Sequence, residues 1–379
     1  MCNTTYLTCE LIDPYCSLCK TKSVVKESVH YFFRLSNYSD KLYQWITNNS
    51  FFQSEIKNYI ISWIDAGLKD WDISRDPPYF GFKIIGHEDK YYYVWLDAPI
   101  GYIASTKYYC SKRGIDFNSY WKNPNESKII HFIGKDIIYF HFLFWPAMLM
   151  GSGFKLPDNI IVHGFLTINK EKMSKSRGTF ITARQYLDRY DVSLLRFYYA
   201  YNLTGNISDI DLNFEDIKDR VNSELIGNFG NFAYRTLTFL YKHYQGRIGA
   251  NKENQLNNII KEKEDLISQY YSKCHLKDVL RLILELGDLG NRYFQQAEPW
   301  KKFKTDPDTA WSQISFCVHL IRDMCILLKP IIPSICANLE SQLQLSDQKW
   351  TDLGTSLDSR SIGKPAPLFN KIETFNLES

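Results

Sequence analysis

Two lysines and two serines stand together at Lys172-Met173-Ser174-Lys175-Ser176, flanked by Lys170 and Arg177. A loop of this composition is in most settings a solvated turn. Here it follows the apolar run Asn159-Ile160-Ile161-Val162-His163-Gly164, which reads as a strand. Cations just beyond the carboxyl end of a parallel strand sit where nucleotides bind in α/β folds. There they would neutralise the charge that develops on a phosphoryl group in transfer. A second constellation is Cys16-Ser17-Leu18-Cys19, with Cys2 and Cys9 upstream. Taken alone it fits a redox dithiol, half of a structural zinc site, or chance. A third lies far downstream. Asn231 and Arg235 fall at i, i+4, and Pro299-Trp300 ends a helix-like stretch carrying Tyr293. Asn and Arg edges beside a Trp plane can read the unstacked bases of an RNA loop; a capped helix with a packed Trp is the plainer account.

These groups need elements to hold them. Residues 1–28 are short of periodicity and suit a small knuckle. Helix-like spacing appears over 40–46 and 54–68, the second with Ile56, Ile60, Ile61, Trp63 and Ile64. The runs 91–96 (YYYVWL) and 128–133 (KIIHFI) read as buried strands. The second leads through Gly134-Lys135-Asp136 into an apolar helix over 137–150 and then into the strand at 159–164, the βαβ pattern of a parallel sheet. From about residue 215 the spacing is helical throughout. Leu276, Val279, Leu280, Ile283, Leu286, Leu289 and Tyr293 share one face, and Ile314, Cys317, Val318, Ile321, Met324, Cys325 and Leu328 repeat it. The expected architecture is an α/β nucleotide fold followed by an all-α bundle.

With 379 residues the chain is long enough for two or three domains. Its 45 Lys plus Arg against 42 Asp plus Glu leave a net charge of +3, so any RNA-binding face must be local. The N-terminus lacks the basic-then-apolar pattern of a leader, and no stretch approaches the roughly 18 unbroken apolar residues of a membrane span. We therefore expect a cytoplasmic protein with no membrane partner. Cys317, Cys325 and Cys336 sit in apolar helical stretches, as buried thiols do.

The segment HGFLTINKEKMSKSRGTFI around the lysine pair resembles the second signature of class I aminoacyl-tRNA synthetases, and of the methionyl-tRNA synthetases in particular. The same family is matched by Trp95-Leu96-Asp97-Ala98-Pro99-Ile100-Gly101-Tyr102, by FIGKD at 132–136 with Phe140 and His141, by WDISRD at 71–76 and by PYFGF at 78–82. The resemblance implies a Rossmann-type catalytic fold interrupted by a zinc-knuckle domain and followed by a helix-bundle anticodon-binding domain. It implies ATP-dependent activation of methionine and its transfer to tRNA(Met), with ATP, Mg²⁺ and Zn²⁺ as cofactors. By resemblance, Trp95, Ala98, Pro99, Tyr102, Ile137 and His141 line the methionine pocket, and Asp136 faces the ATP ribose. His163 and Lys175 contact the phosphates, with Lys172 and Arg75 in support and Lys172 and Lys175 as the catalytic cations. Asn231, Arg235, Pro299 and Trp300 read the CAU anticodon, and Cys2, Cys16 and Cys19 ligate zinc at a site short of its fourth ligand. A pocket containing Trp95, Tyr102, Phe140 and Trp145 would be apolar and polarizable, which suits a thioether. A lone His on an apolar helix is usually a satisfied core residue, so His141 gains its role only from its place after Gly134-Lys135-Asp136.

The expected domain limits are 1–28 for a partial knuckle, 29–84 for the rest of the inserted domain, 85–168 for the second half of the nucleotide fold, 169–215 for the lysine-loop segment, 216–345 for the bundle and 346–379 for a closing tail. In one respect the chain departs from the family. Its eight His are residues 30, 87, 131, 141, 163, 243, 275 and 319, and none begins or ends a His-X-Gly-His motif. The first half of the nucleotide fold is therefore expected to be missing, and this chain to be an incomplete catalytic unit or an inactive tRNA-binding fragment. Gly363-Lys364-Pro365-Ala366-Pro367-Leu368-Phe369 resembles the end of the family core, which predicts a monomer without an appended dimerisation domain.

Overall fold

The structure is a computed structural model that describes residues 15, 21–25, 27–123, 125–168, 170–172, 181–250 and 256–375. The chain divides into two compact units, Met1–Val162 and His163–Ser379.

In the first unit, strand β1 (Phe32–Phe33) is followed by helices α1 (Ser39–Asn48) and α2 (Ser54–Asp65). Each buries the stripe its spacing predicts, Leu42 and Ile46 on α1 and Ile56, Ile60 and Ile64 on α2. Strand β2 (Trp71–Asp72) returns antiparallel to β1, and β3 (Ser74–Arg75) pairs antiparallel with β4 (Tyr91–Tyr92). The run 91–96 is not the buried strand its composition predicts. Beyond Tyr93, whose N–H still bonds to the Ile73 carbonyl at 2.8 Å, the facing strand pairs with β1 through Asp72 and Trp71. The Val94 N–H turns instead to the Tyr79 hydroxyl at 3.1 Å, and the chain enters helix α3 (Val94–Asp97). Helices α4 (Ile100–Arg113) and α5 (Asn118–Trp121) lead to β5 (Ile130–Gly134).

Strand β5 is also not buried on both faces: His131 and Ile133 are covered while Phe132 is 59% exposed, the alternation of a strand with one packed face. A short 3-10 turn (Lys135–Ile137) follows, then a π-helical stretch (Phe140–Phe144), then α6 (Trp145–Ser152), where the sequence predicts one regular helix. Strand β6 (Asn159–His163) pairs with β5, so the predicted strand, helix, strand order is present.

The second unit opens on a three-stranded sheet. Strand β7 (Leu166–Ile168) turns into β8 (Glu171–Lys172) antiparallel to it, and runs parallel to β9 (Ile210–Leu212) across a crossover carrying α7 (Ala183–Leu187) and α8 (Val192–Asn202). Helix α9 (Phe214–Arg220) continues through a second π-helical stretch (Val221–Gly230) into α10 (Asn231–Tyr244). The bundle is completed by α11 (Leu256–Ser272), α12 (Leu276–Ala297), α13 (Pro299–Thr305), α14 (Pro307–Leu328) and α15 (Pro333–Gln342). One hydrophobic core runs through this unit from Ile168 to Ile372. Helix α14 is apolar and long enough to cross a membrane, yet 83% of its most apolar window is buried inside the protein, as at the centre of a soluble bundle. Its fully buried Arg322 is neutralised by Asp323 (Nε to Oδ1, 2.7 Å) and donates to Thr355 of the tail. Cys317, Cys325 and Cys336 are buried free thiols, as their setting predicts.

Candidate functional site

The aromatic residues predicted to line a pocket converge in the first unit. Trp95 on α3 stacks on Phe140 of the π turn at 4.1 Å between centroids and 8° between planes, and meets His141 edge-on at 6.3 Å. Ala98 and Pro99 bridge α3 and α4, with the Ala98 N–H on the Val94 carbonyl at 2.8 Å. On α4, the Tyr102 hydroxyl lies 3.0 Å from His141 Nε2. His141 Nδ1 lies 3.1 Å from the carbonyl oxygen of Ile137, so the turn that carries Ile137 also orients the imidazole. Burial lowers the pKa of His141 and raises that of Tyr102, so the first is a neutral imidazole and the second a neutral phenol at pH 7.

Sequence reasoning missed two residues of this cluster. His131 looked like one more residue of a hydrophobic strand, yet its Nε2 accepts from the indole N–H of Trp145 at 3.2 Å, and its ring lies 4.7 Å from Tyr102 and 5.7 Å from His141. Burial, reinforced by His141, pulls its pKa down to about 4. Asp97 was quoted only as part of a motif. Its Oδ1 is buried without a hydrogen-bond partner among the described residues.

Asp136 follows β5 in the 3-10 turn, its Oδ1 so close to Gly134 that a Cβ there would meet it at 2.7 Å. Only glycine leaves that carboxylate room. Arg75 is engaged locally: its Nη1 reaches Asp72 Oδ2 at 3.2 Å and the Ser74 carbonyl at 2.6 Å, and its guanidinium stacks 3.8 Å above the Tyr93 ring.

In the second unit, His163 ends β6 with Nδ1 2.8 Å from the Gly164 carbonyl oxygen. A Cβ on Gly164 would stand 2.3 Å from the backbone oxygen of Ser208, so the crossing of these two segments excludes any side chain. The turn between β7 and β8 is clamped by Asp211, whose Oδ1 accepts from the Lys170 N–H at 2.6 Å and the Thr167 hydroxyl at 2.7 Å. The backbone of Lys172 closes β8 opposite Thr167. Lys175 and the rest of the serine-lysine loop lie outside the described residues, as do Cys2, Cys9, Cys16 and Cys19. Among the described residues no group of three or more His, Cys, Asp or Glu could hold a metal ion.

At the other end of this unit, Asn231 is exposed at the start of α10. One turn on, Arg235 donates through Nη2 to Asn291 Oδ1 at 2.8 Å and lies 4.4 Å over the ring of Phe294. Its Nε is buried without a partner among the described residues, and burial lowers its pKa. Pro299 is buried, and Trp300, 38% exposed, tilts against the same Phe294 at 5.9 Å. Phe294 thus joins two residues 65 positions apart in the chain. The sequence held it one place from Tyr293 on the apolar face, with nothing to single it out.

Comparison with known proteins agrees with this arrangement. The family described as tRNA synthetases class I (M) matches residues 1–237, and the anticodon binding domain of methionyl tRNA ligase matches residues 245–379. Among solved structures, the chain is similar to Mycobacterium tuberculosis methionyl-tRNA synthetase in complex with methionyl-adenylate, with a TM-score of 0.80 and 27% identity over 94% of this chain and 71% of that one. The apo form of the same synthetase matches in fold with a TM-score of 0.79 at 24% identity, over 95% of this chain and 72% of that one. With 237 of its 379 residues matched by the catalytic family and the rest of its length largely by the anticodon domain, the chain belongs to the class I methionyl-tRNA synthetases.

Proposed function

We propose that the chain serves as a methionine–tRNA ligase, activating methionine with ATP and transferring it to tRNA(Met). A carboxylate oxygen of methionine attacks the α-phosphorus of ATP and pyrophosphate leaves; the terminal ribose hydroxyl of tRNA then attacks the methionyl carbonyl and AMP leaves. Trp95, Ala98, Pro99, Tyr102, Ile137 and His141 would enclose the thioether side chain, and Asp136 would accept from the ribose hydroxyls. His163 and Lys175 would meet the phosphates, with Lys172 and Arg75 adding positive charge. Arg75 would first have to leave Asp72. Asn231, Arg235, Pro299 and Trp300 would read the anticodon. Mg²⁺ would accompany the nucleotide, and Cys2, Cys16 and Cys19 would hold zinc.

The observation that carries this reading is the aromatic cluster itself: Trp95 stacked on Phe140, with Tyr102 bonded to a neutral His141, inside a chain of this family. It offers a dry, polarizable surface with no charged side chain among its ring contacts, the environment a thioether prefers and a charged amino-acid side chain avoids. A second reading rests on a different observation, the lack of any His-X-Gly-His motif in the 379 residues. On that reading the chain binds methionine and tRNA without turning them over. Methionine-dependent exchange of pyrophosphate into ATP, measured in a preparation free of host synthetase, separates the two. Exchange specific for methionine supports the ligase. Binding of methionine and a CAU stem-loop without exchange supports the second reading, and failure to bind either refutes both.

A further inference from the structure

The direction of every hydrogen bond around Tyr102 can be fixed from chemistry alone. The indole N–H of Trp145 is a donor and nothing else, so His131 Nε2, 3.2 Å away, must accept, and the proton of this imidazole must sit on Nδ1. The carbonyl oxygen of Ile137 can only accept, so His141 Nδ1, 3.1 Å away, must carry its proton and leave Nε2 as an acceptor. The Tyr102 hydroxyl, 3.0 Å from that nitrogen, must then donate. Its hydrogen is spent on His141, and the oxygen retains acceptor capacity only. A second proton on His131 would set a donor against the Trp145 donor, and the burial that lowers the pKa of both imidazoles keeps that state away from neutral pH.

We propose that His131 is a positioning and specificity-determining residue of the methionine pocket: by holding the Trp145 indole and packing on Tyr102, it commits the Tyr102 hydroxyl to His141 and leaves the pocket no donor for an oxygen-bearing side chain. This rests on the methionine reading of the site. Four elements meet at the lock, with His131 on β5, Tyr102 on α4, His141 on the π turn and Trp145 on α6, and the Tyr102 ring lies 4.7 Å from His131 and 6.1 Å from Trp145. The consequence is selective. A thioether sulfur asks little of a hydrogen-bond donor. The sulfoxide oxygen of oxidised methionine is a strong acceptor, and desolvating it beside an acceptor-only tyrosine leaves it unpaired. Freed of His131, the Tyr102 ring and hydroxyl can turn to donate to that oxygen, so discrimination against the sulfoxide falls.

The test is calorimetric titration of the full chain with L-methionine and with L-methionine sulfoxide. In His131→Gln the side-chain carbonyl can still accept from Trp145, and both affinities should stay within about threefold of the parent. In His131→Phe the acceptor is gone, and the orphaned Trp145 N–H should weaken methionine binding roughly tenfold. Sulfoxide binding should weaken less or improve, narrowing the ratio between the two ligands. A merely structural role would lower both affinities in parallel. Parallel loss, an unchanged His131→Phe chain, or a Gln variant as impaired as Phe would each overturn the proposal. If circular dichroism shows that His131→Phe does not fold, Trp145→Phe removes the donor from the other side and must narrow the ratio in the same way. A parent chain that binds neither ligand while binding a CAU stem-loop refutes the methionine reading itself, and this inference with it; a parent that binds methionine while the ratio stays fixed refutes the inference alone.

Discussion

Replacing Trp300 tests the anticodon assignment most directly, provided the loss of a stacking plane is separated from the loss of packing. With 38% of Trp300 exposed, about three-fifths of the side chain is covered, much of it against Phe294. That corresponds to ~150 Å² removed from water, and at ~25 cal/mol/Å² to a ceiling of about 4 kcal/mol, of which a more compact unfolded chain leaves about 2–3 kcal/mol. Trp300→Ala would therefore loosen α13 as well as remove the aromatic face, and reduced RNA binding in that variant alone would be ambiguous. Trp300→Leu keeps much of the buried area but has no π face, and Trp300→Phe keeps a smaller one. One base–aromatic stack contributes about 1–3 kcal/mol, a factor of roughly 5 to 150. Filter binding of a CAU anticodon stem-loop should accordingly rank the parent above Phe, and Phe above Leu and Ala. Thermal melts should show only Ala strongly destabilised. The loss should be confined to the CAU loop, with a scrambled loop bound equally by all four chains. If Trp300→Leu binds the CAU loop as the parent does, or if both loops weaken together, Trp300 is a packing residue and the assignment is refuted.

Three other substitutions follow from the same geometry. His131, with its pKa near 4 when folded against about 6.5 when unfolded, makes the unfolded chain bind more protons between those values; stability should be flat above pH 6.5 and fall by at most about 3 kcal/mol towards pH 4, a slope that chemical denaturation should find reduced in His131→Phe. Glu264 has the opposite sign: burial, with Asp323 nearby, raises its carboxyl to about 7, so the folded state must ionise it at a cost above that pH. Glu264→Gln should stabilise the bundle by up to about 3 kcal/mol at pH 8 and not at all below pH 4.5, and a pH-independent effect in thermal melts would contradict the reasoning. Gly164→Ala should cost about 2 kcal/mol or more in urea unfolding, because the atoms 2.3–2.5 Å from its Cβ belong to the backbone at Ser208 and Asp209 and cannot swing aside; a neutral Ala would mean that the crossing relaxes freely.

What the sequence made legible was what depends on spacing within one element. The stripes of α2, α12 and α14 are buried as their periodicity predicts, and α12 carries Val279, Leu280, Ile283 and Leu286 inward. Strand and helix order around β5, α6 and β6 is likewise readable. The failures arise where the outcome depends on a partner remote in sequence. Residues 94–96 have strand-like composition, but the neighbour that would have extended their ladder is paired with β1 instead. His131 is an acceptor because Trp145 faces it from another element, and Phe294 matters because Arg235 and Trp300 both reach it; no local pattern encodes either fact.

The two π-helical stretches show why periodicity alone misplaces functional faces. Phe140–Phe144 runs directly into α6 and Val221–Gly230 directly into α10, so each precedes a helix that carries assigned side chains. In a regular helix each residue advances the face by about 100°, so one residue added to a turn rotates everything after it by about that angle. In the first stretch this turns four consecutive residues, His141 to Phe144, into covered positions, where an amphipathic α-helix would expose at least one of them. It delivers Trp145 to His131 while His141 stays bonded back to Ile137. In the second, Phe229, Gly230, Phe232 and Ala233 are buried around an exposed Asn231, and Arg235 emerges one turn later over Phe294. A widened turn sacrifices hydrogen-bond geometry at one point of a helix. Here the return is an aim that regular spacing would not give: an imidazole turned toward a phenol in one unit, and an amide and a guanidinium presented side by side in the other.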